Sequence, residues 1–187
     1  MKNIKVTCSA GFLLLAAGLI YLDGTCFFVQ MLVACILHEG GHCIAVRAVG
    51  SRVSALHLTA VGAEMKLDPG MQLSYVQDAL LAFMGPVVNL AAALVAARVG
   101  ANLFAGLNLS LGLFNLLPIR PLDGGRILTD LVSVLNLNAA EKIHSAFSVF
   151  ISGAMLGLGW AAWRRGGNLS LLCVSVWLMT GMLTKNL

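Results

Sequence analysis

The sequence predicts an all-α polytopic membrane protein, with about six transmembrane helices and a short membrane-associated β-hairpin. Of its 187 residues, 59% are apolar and only 11% are charged, whereas a soluble domain is about 45–50% apolar. Apolar stretches near the roughly 20 residues that a membrane-spanning helix needs fill most of the chain. We therefore expect one integral-membrane domain over residues 1–187.

The apolar stretches account for most of the predicted secondary structure. They cover residues 6–22, 26–50, 79–97, 101–117, 146–163 and 169–183. The first is expected to be a retained anchor, because no small-residue cleavage site follows it. The segment 52–67 differs from them, since it is rich in β-branched and small residues, alternates partly in polarity and is interrupted by Gly62. This pattern predicts the hairpin.

The distribution of basic residues argues against nucleic-acid binding. The net charge is +4, but the Lys and Arg residues are scattered at the ends of the apolar stretches and form no basic run. With the N-terminus in the cytoplasm and six crossings, nine of the 12 basic residues fall inside and three outside. This arrangement follows the positive-inside rule. It predicts a lipid-embedded chain in which the second apolar stretch ends on the cytoplasmic side. A functional site late in that stretch would therefore lie toward the cytoplasm.

Two acidic residues, Glu39 and Asp123, are embedded in apolar sequence. Glu39 lies within His38-Glu39-Gly40-Gly41-His42. On a helix, residues four apart project from one face, so His38 and His42 could bind one Zn²⁺ while Glu39 activates a water beside it. The alternative is a hydrogen-bonded polar cluster that joins helices or lines a proton path.

A hydrolytic zinc site needs three protein ligands, and Asp123 is the candidate for the third. It lies in the segment 115–126, where two prolines and two glycines prevent a continuous helix. Broken backbone at membrane depth is tolerated where it is buried in protein or lines a cavity. Alternatively, Asp123 caps a helix over 124–135 at an interfacial turn.

Three motifs resemble those of the site-2 protease family of intramembrane metalloproteases. They are HEGGH at residues 38–42, GPVVN at 85–89 and PLDGGRI at 121–127. The resemblance extends from about residue 30 to 135 and implies a catalytic core at about 26–136. It implies that His38, His42 and Asp123 bind zinc and that Glu39 is the general base. It further implies that Asn89 lies near the substrate or the developing oxyanion, with a helix-packing amide as the alternative.

The resemblance also implies a function. The chain would hydrolyse a peptide bond within or next to a transmembrane segment of a membrane-associated protein, in a bacterial cell membrane and under the control of a regulatory membrane partner. The free edge of the hairpin would hold the unwound substrate. The compact size resembles the sporulation-type branch, without PDZ or CBS domains.

Three rival interpretations remain. A metal transporter could use the same His and Asp ligands, although no second copy of the motif is present. An inactive relative could bind transmembrane helices without cutting them. A soluble-type zincin would take Glu64 or Glu141 as the third ligand, but neither lies in a comparable motif.

Overall fold

The structure is a computed structural model that describes residues 5–23, 26–59, 62–68, 72–119, 121–167, 169 and 172–178. Its elements are, in chain order, β1 (Lys5–Cys8), α1 (Ala10–Leu22), α2 (Phe27–Ala48), β2 (Val53–Thr59), β3 (Gly62–Leu67), α3 (Tyr75–Arg98), α4 (Asn102–Asn115), α5 (Asp123–Leu135) and α6 (Leu137–Arg164). They form two compact units. The first comprises Met1–Ser74 and Met84–Leu113, and the second comprises Tyr75–Phe83 and Phe114–Leu187.

Three helices of the described residues are long and apolar enough to cross a membrane. They are Phe27–Ala48, Tyr75–Arg98 and Ala139–Arg164, with 22, 24 and 26 residues. Helices α1 and α4 have 13 and 14 residues, which at 1.5 Å per residue is about 20 Å, less than a hydrocarbon core of about 30 Å. Six crossings therefore stay a prediction. The last predicted stretch, 169–183, lies partly outside the described residues, of which 172–178 are helical.

Large apolar side chains on the surface of α2 support a lipid environment for this helix. Val29, Val33, Ile36 and Ile44 are all exposed. Several such side chains on one face of a helix are unusual on a soluble monomer, where large exposed apolar patches mark contact with protein or membrane. The predicted membrane helix over 26–50 is thus confirmed as a helix with an apolar surface.

The predicted hairpin forms, but it is part of a three-stranded sheet. Strands β2 and β3 pair antiparallel, and β1 pairs parallel to β2, from Lys5 opposite Ala55 to Cys8 opposite Leu58. The apolar stretch 6–22 was predicted as one helix, yet its first residues are a strand. Ser9 separates the two elements, because its hydroxyl accepts a hydrogen bond from the Phe12 N–H at 3.1 Å and caps α1. The strand order β1-β2-β3 leaves β1 and β3 as the edges.

In the second unit, the broken segment before α5 is fixed by apolar burial. Ile119 and Leu122 form a buried cluster with Leu178. Gly124 lies so close to the carbonyl of Leu116 that a Cβ at this position would overlap it. The loop thus folds tightly onto the start of α5, which begins at Asp123.

One ion pair joins α5 to the start of α3 within the same unit. Arg126 donates two hydrogen bonds to the Asp78 carboxylate, one from Nε at 2.8 Å and a second, shorter one from a terminal nitrogen. Asp130 lies one turn further along α5 and is buried. Burial raises the pKa of Asp130 to about 6, and the charge of Asp78 and a hydrogen bond with it act in the same direction, opposed by Arg126.

This raised pKa predicts how the stability of the second unit depends on pH. Because Asp130 binds its proton more tightly when folded than at its ordinary value of 3.8, the folded state holds more protons between about pH 4 and pH 6. The free energy of unfolding should therefore fall as the pH rises through this window. Asp130→Asn should flatten the dependence, measured as thermal unfolding in detergent from pH 4 to pH 7.

The exposed Asp68 provides the control, since Asp68→Asn should keep the slope. A slope that is unchanged in Asp130→Asn would contradict the assignment.

Candidate metal centre

Helix α2 brings the two predicted histidine ligands together. His38 and His42 are one turn apart on this helix, and their Nε2 atoms approach to 3.2 Å. The ring centroids are 4.8 Å apart and the planes meet at 86°. His38 is buried, whereas His42 and Glu39 are half-buried. The spacing predicted from the sequence thus produces two imidazole nitrogens that converge.

Glycines allow α2 and α3 to approach each other at the histidines. A Cβ on Gly41 would lie 2.6 Å from the Met84 carbonyl oxygen and 3.0 Å from the Gly85 Cα. A Cβ on Gly85 would overlap the His42 ring and lie 2.9 Å from the Cε1 of His38. Gly40 has open space at this position, with nothing within 4 Å. Of the two glycines between the histidines, Gly41 is therefore the one that packing requires.

Asn89, on α3 at the position predicted to contact substrate, is fully buried and hydrogen-bonded on both sides of its amide. Its Oδ1 lies 2.6 Å from Nδ1 of His38. Its Nδ2 donates to the Ala34 carbonyl at 3.0 Å and to Oδ1 of Asn108 at 2.9 Å. An oxyanion role would therefore require one of the two donated bonds to break, and that role stays a prediction.

Asp123 is the first residue of α5 and is half-buried. A carboxylate in the first turn of a helix is favoured by the helix dipole, and the tightly packed loop described above fixes its place along the chain. Asp123 belongs to the second unit and both histidines belong to the first, so its role as the third ligand stays a prediction.

The side chains suit zinc by two tests. Zn²⁺ prefers four tetrahedral ligands from His, Cys and carboxylate, with Zn–N distances of about 2.0–2.1 Å. Two nitrogens on such a tetrahedron are about 3.3–3.4 Å apart, close to the 3.2 Å between the two Nε2 atoms. The predicted set of two imidazoles and one carboxylate would also suit a catalytic site, which leaves a fourth position for water.

Three further polar residues did not enter the site predicted from the sequence. Asn108 lies in an apolar helix and is fully buried, so its polarity alone could have drawn attention to it. His144 is buried, with Nε2 3.3 Å from Oγ of Ser148, and does not belong to the predicted set of site residues. His57 belongs to β2 and pairs with Thr7 of β1 at 2.7 Å.

Alanine substitutions at the neighbouring glycines Gly40 and Gly41 of α2 should differ in their effect on zinc binding. Both alanine substitutions should raise helix propensity by roughly 1 kcal/mol. Gly41→Ala would nevertheless push α3 away from the histidines, because its Cβ meets backbone atoms of Met84 and Gly85. We expect it to weaken zinc binding and lower the unfolding temperature.

Gly40→Ala is the matched control and should leave zinc binding unchanged. Zinc content is measured on purified samples of both variants. Equal zinc content in the two variants would show that the close approach of the helices is not needed.

This chain is similar in sequence to a family of peptidases and to several zinc metalloproteases. Residues 101–158 match peptidase family M50. The chain is 29% identical over 178 residues to "Putative zinc metalloprotease sll0528" of Synechocystis, covering 87% of this chain and 45% of that protein. It is 28% identical over 138 residues to zinc metalloprotease MJ0392 of Methanocaldococcus jannaschii, covering 65% of this chain and 40% of that protein. The chain thus spans less than half the length of these relatives.

The fold has a counterpart among solved structures. The site-2 protease of Methanocaldococcus jannaschii superposes with a TM-score of 0.70 at 24% identity, covering 97% of this chain and 91% of that chain. The match therefore covers nearly the whole chain and extends beyond the three motifs. Together, the family match, the relatives and the fold confirm the resemblance of this chain to the site-2 proteases of peptidase family M50.

Proposed function

We propose that this protein is a zinc-dependent intramembrane metalloprotease that hydrolyses a peptide bond within or next to a transmembrane segment of a membrane-associated protein. The observation that carries the proposal is the convergence of the His38 and His42 Nε2 atoms at 3.2 Å, on a helix long and apolar enough to span a membrane. Glu39 lies between them in sequence. The M50 match and the zinc metalloprotease relatives support the same chemistry.

In this proposal, His38, His42 and Asp123 hold the metal. Zinc, when bound, lowers the pKa of a water and polarises a peptide carbonyl. Glu39 accepts the proton of the attacking water and returns it to the leaving amine, as a general base and then a general acid.

The substrate must present an extended backbone, because a helix engages its own carbonyls in hydrogen bonds. We propose that the outer edge of β3 holds this unwound segment by strand addition. Among the described strands, β2 is paired on both sides, so the hairpin offers β3 as its edge. An edge strand provides a row of N–H and C=O groups that another chain can pair with.

The cytoplasmic placement of the site is part of the proposal. The histidines lie in the C-terminal half of α2, shortly before Arg47 and Arg52, and basic residues favour the cytoplasmic side. We further propose that the protein lies in a bacterial cell membrane and that a regulatory membrane partner controls cleavage.

Metal transport is the less favoured candidate. It would use the same three side chains, but the family match and the relatives are named for peptidase activity. Zinc flux in proteoliposomes would be expected of a transporter and not of this protein.

Two substitutions should separate metal binding from chemistry. Glu39→Gln keeps the size of the side chain but cannot accept a proton, so zinc should stay bound while cleavage falls by about 10²- to 10⁴-fold. Asp123→Ala removes a ligand, so zinc content and cleavage should both drop. Zinc content and cleavage of a transmembrane peptide substrate are measured on the same purified samples.

Normal cleavage by Glu39→Gln would contradict the proposed mechanism. Full zinc content in Asp123→Ala would place the third ligand elsewhere. Glu141→Gln, an exposed acid on α6, serves as the control and should change neither property.

The strand proposal predicts a selective effect of proline. Proline at β3 positions whose N–H groups point away from β2 would remove donors from the outer edge without breaking the hairpin. Cleavage should fall while zinc content stays at the wild-type level. Equivalent substitutions on the outer edge of β1 are the control, and a loss of cleavage from both edges alike would argue against β3 as the binding strand.

A further inference from the structure

A chain of hydrogen bonds connects His38 to helix α4 through two buried amides. His38 Nδ1 lies 2.6 Å from Oδ1 of Asn89, whose Nδ2 lies 2.9 Å from Oδ1 of Asn108. The Nδ2 of Asn108 donates to the Phe104 carbonyl at 2.9 Å. Both asparagines are fully buried. All residues linked by these hydrogen bonds belong to the first unit.

Backbone carbonyls fix the direction of every bond in this chain. The Phe104 carbonyl can only accept, so the NH₂ group of Asn108 faces it and the amide oxygen faces Asn89. The Ala34 carbonyl can also only accept, at 3.0 Å from Nδ2 of Asn89. The Asn89 NH₂ group thus spends both hydrogens, one on Ala34 and one on Asn108. Its oxygen is left to face His38.

This direction determines the tautomer of His38. An amide oxygen accepts only, so the Nδ1 atom of His38 must carry the proton. A neutral imidazole that is protonated at Nδ1 has its lone pair on Nε2, and Nε2 is the atom that converges on the second histidine. Partners that orient a ligating histidine typically change metal affinity by about 10- to 100-fold.

We propose that Asn89 and Asn108 are positioning residues, which hold His38 as the Nδ1–H tautomer and aim its Nε2 lone pair at the metal. Asn89 acts by direct contact with the ring, and Asn108 acts through Asn89 by fixing the orientation of the Asn89 amide. Aligned hydrogen bonds polarise one another, so these hydrogen bonds also make the Nε2 lone pair a stronger ligand for zinc. This inference rests on the proposed zinc site, but the tautomer itself exists without metal.

The test uses the full-length protein purified in detergent, first without metal. Nitrogen-15 NMR of histidine-labelled protein reports the tautomer, with the His38 signals assigned by His38→Gln. Wild type should show the Nδ1–H form. Asn89→Leu and Asn108→Leu should shift His38 toward a mixture of tautomers, whereas Asn102→Leu, at the exposed start of α4, should leave it unchanged.

The second measurement is metal affinity, from competition of Zn²⁺ with a chelator and from the visible spectrum of the Co²⁺ form. Asn89→Leu should weaken Zn²⁺ binding by about 10- to 100-fold, and Asn108→Leu by up to about 10-fold, since it acts one bond further away. Asn108→Thr should recover part of this loss, because a threonine hydroxyl can donate to the i−4 carbonyl and accept from Asn89. That recovery distinguishes positioning from loss of packing.

The outcomes separate this inference from the proposed function. A wild-type His38 protonated at Nε2, or a Zn²⁺ affinity and Co²⁺ spectrum that are unchanged in both leucine variants, would overturn the inference. If wild type keeps the Nδ1–H tautomer through the two amides but binds no Zn²⁺, the inference holds for the ring and the proposed function fails.

Discussion

The close approach of α2 and α3 at Gly41 and Gly85 is the constraint on which the rest of the centre depends. Neither glycine can carry a Cβ without meeting the facing helix or a histidine ring. At this separation the α3 backbone lies against the imidazoles, and Asn89, one turn further along α3, reaches Nδ1 of His38. A wider separation would lose the packing and the hydrogen bond together.

The two buried asparagine amides of the first unit are hydrogen-bonded in the way that a low-dielectric environment demands. A buried amide without partners costs several kcal/mol in an apolar medium. The structure avoids this for Asn89 and Asn108 by joining them to each other and to two backbone carbonyls. The same bonds that stabilise the amides also direct the histidine, so stability and ligand geometry have one physical origin.

The helix with both histidines and the hairpin could be predicted from the sequence, because each has a local signal: four-residue spacing in one case, and β-branched alternation in the other. The strand β1 could not, since its partner Ala55 is 50 residues away from Lys5 and the apolar run that follows conceals it. The role of Asn108 also depends on which helix faces it. Asp123 was a candidate ligand because it lies in broken, apolar sequence. An interfacial helix cap has the same local sequence, however, and only the resemblance to a family motif favoured the ligand.

The parallel pairing of β1 with β2 has a consequence for how the chain is threaded. Two strands that share hydrogen bonds must lie at the same depth, so Lys5 and Ala55 cannot be on opposite sides of the bilayer. Helices α1 and α2 connect them. Whatever path these helices take, the chain must return to the side from which it started, and the number of complete crossings between the two strands is even. The hydrogen bonds between β1 and β2 thereby restrict the number of membrane crossings between these strands to an even number, independently of where the basic residues lie.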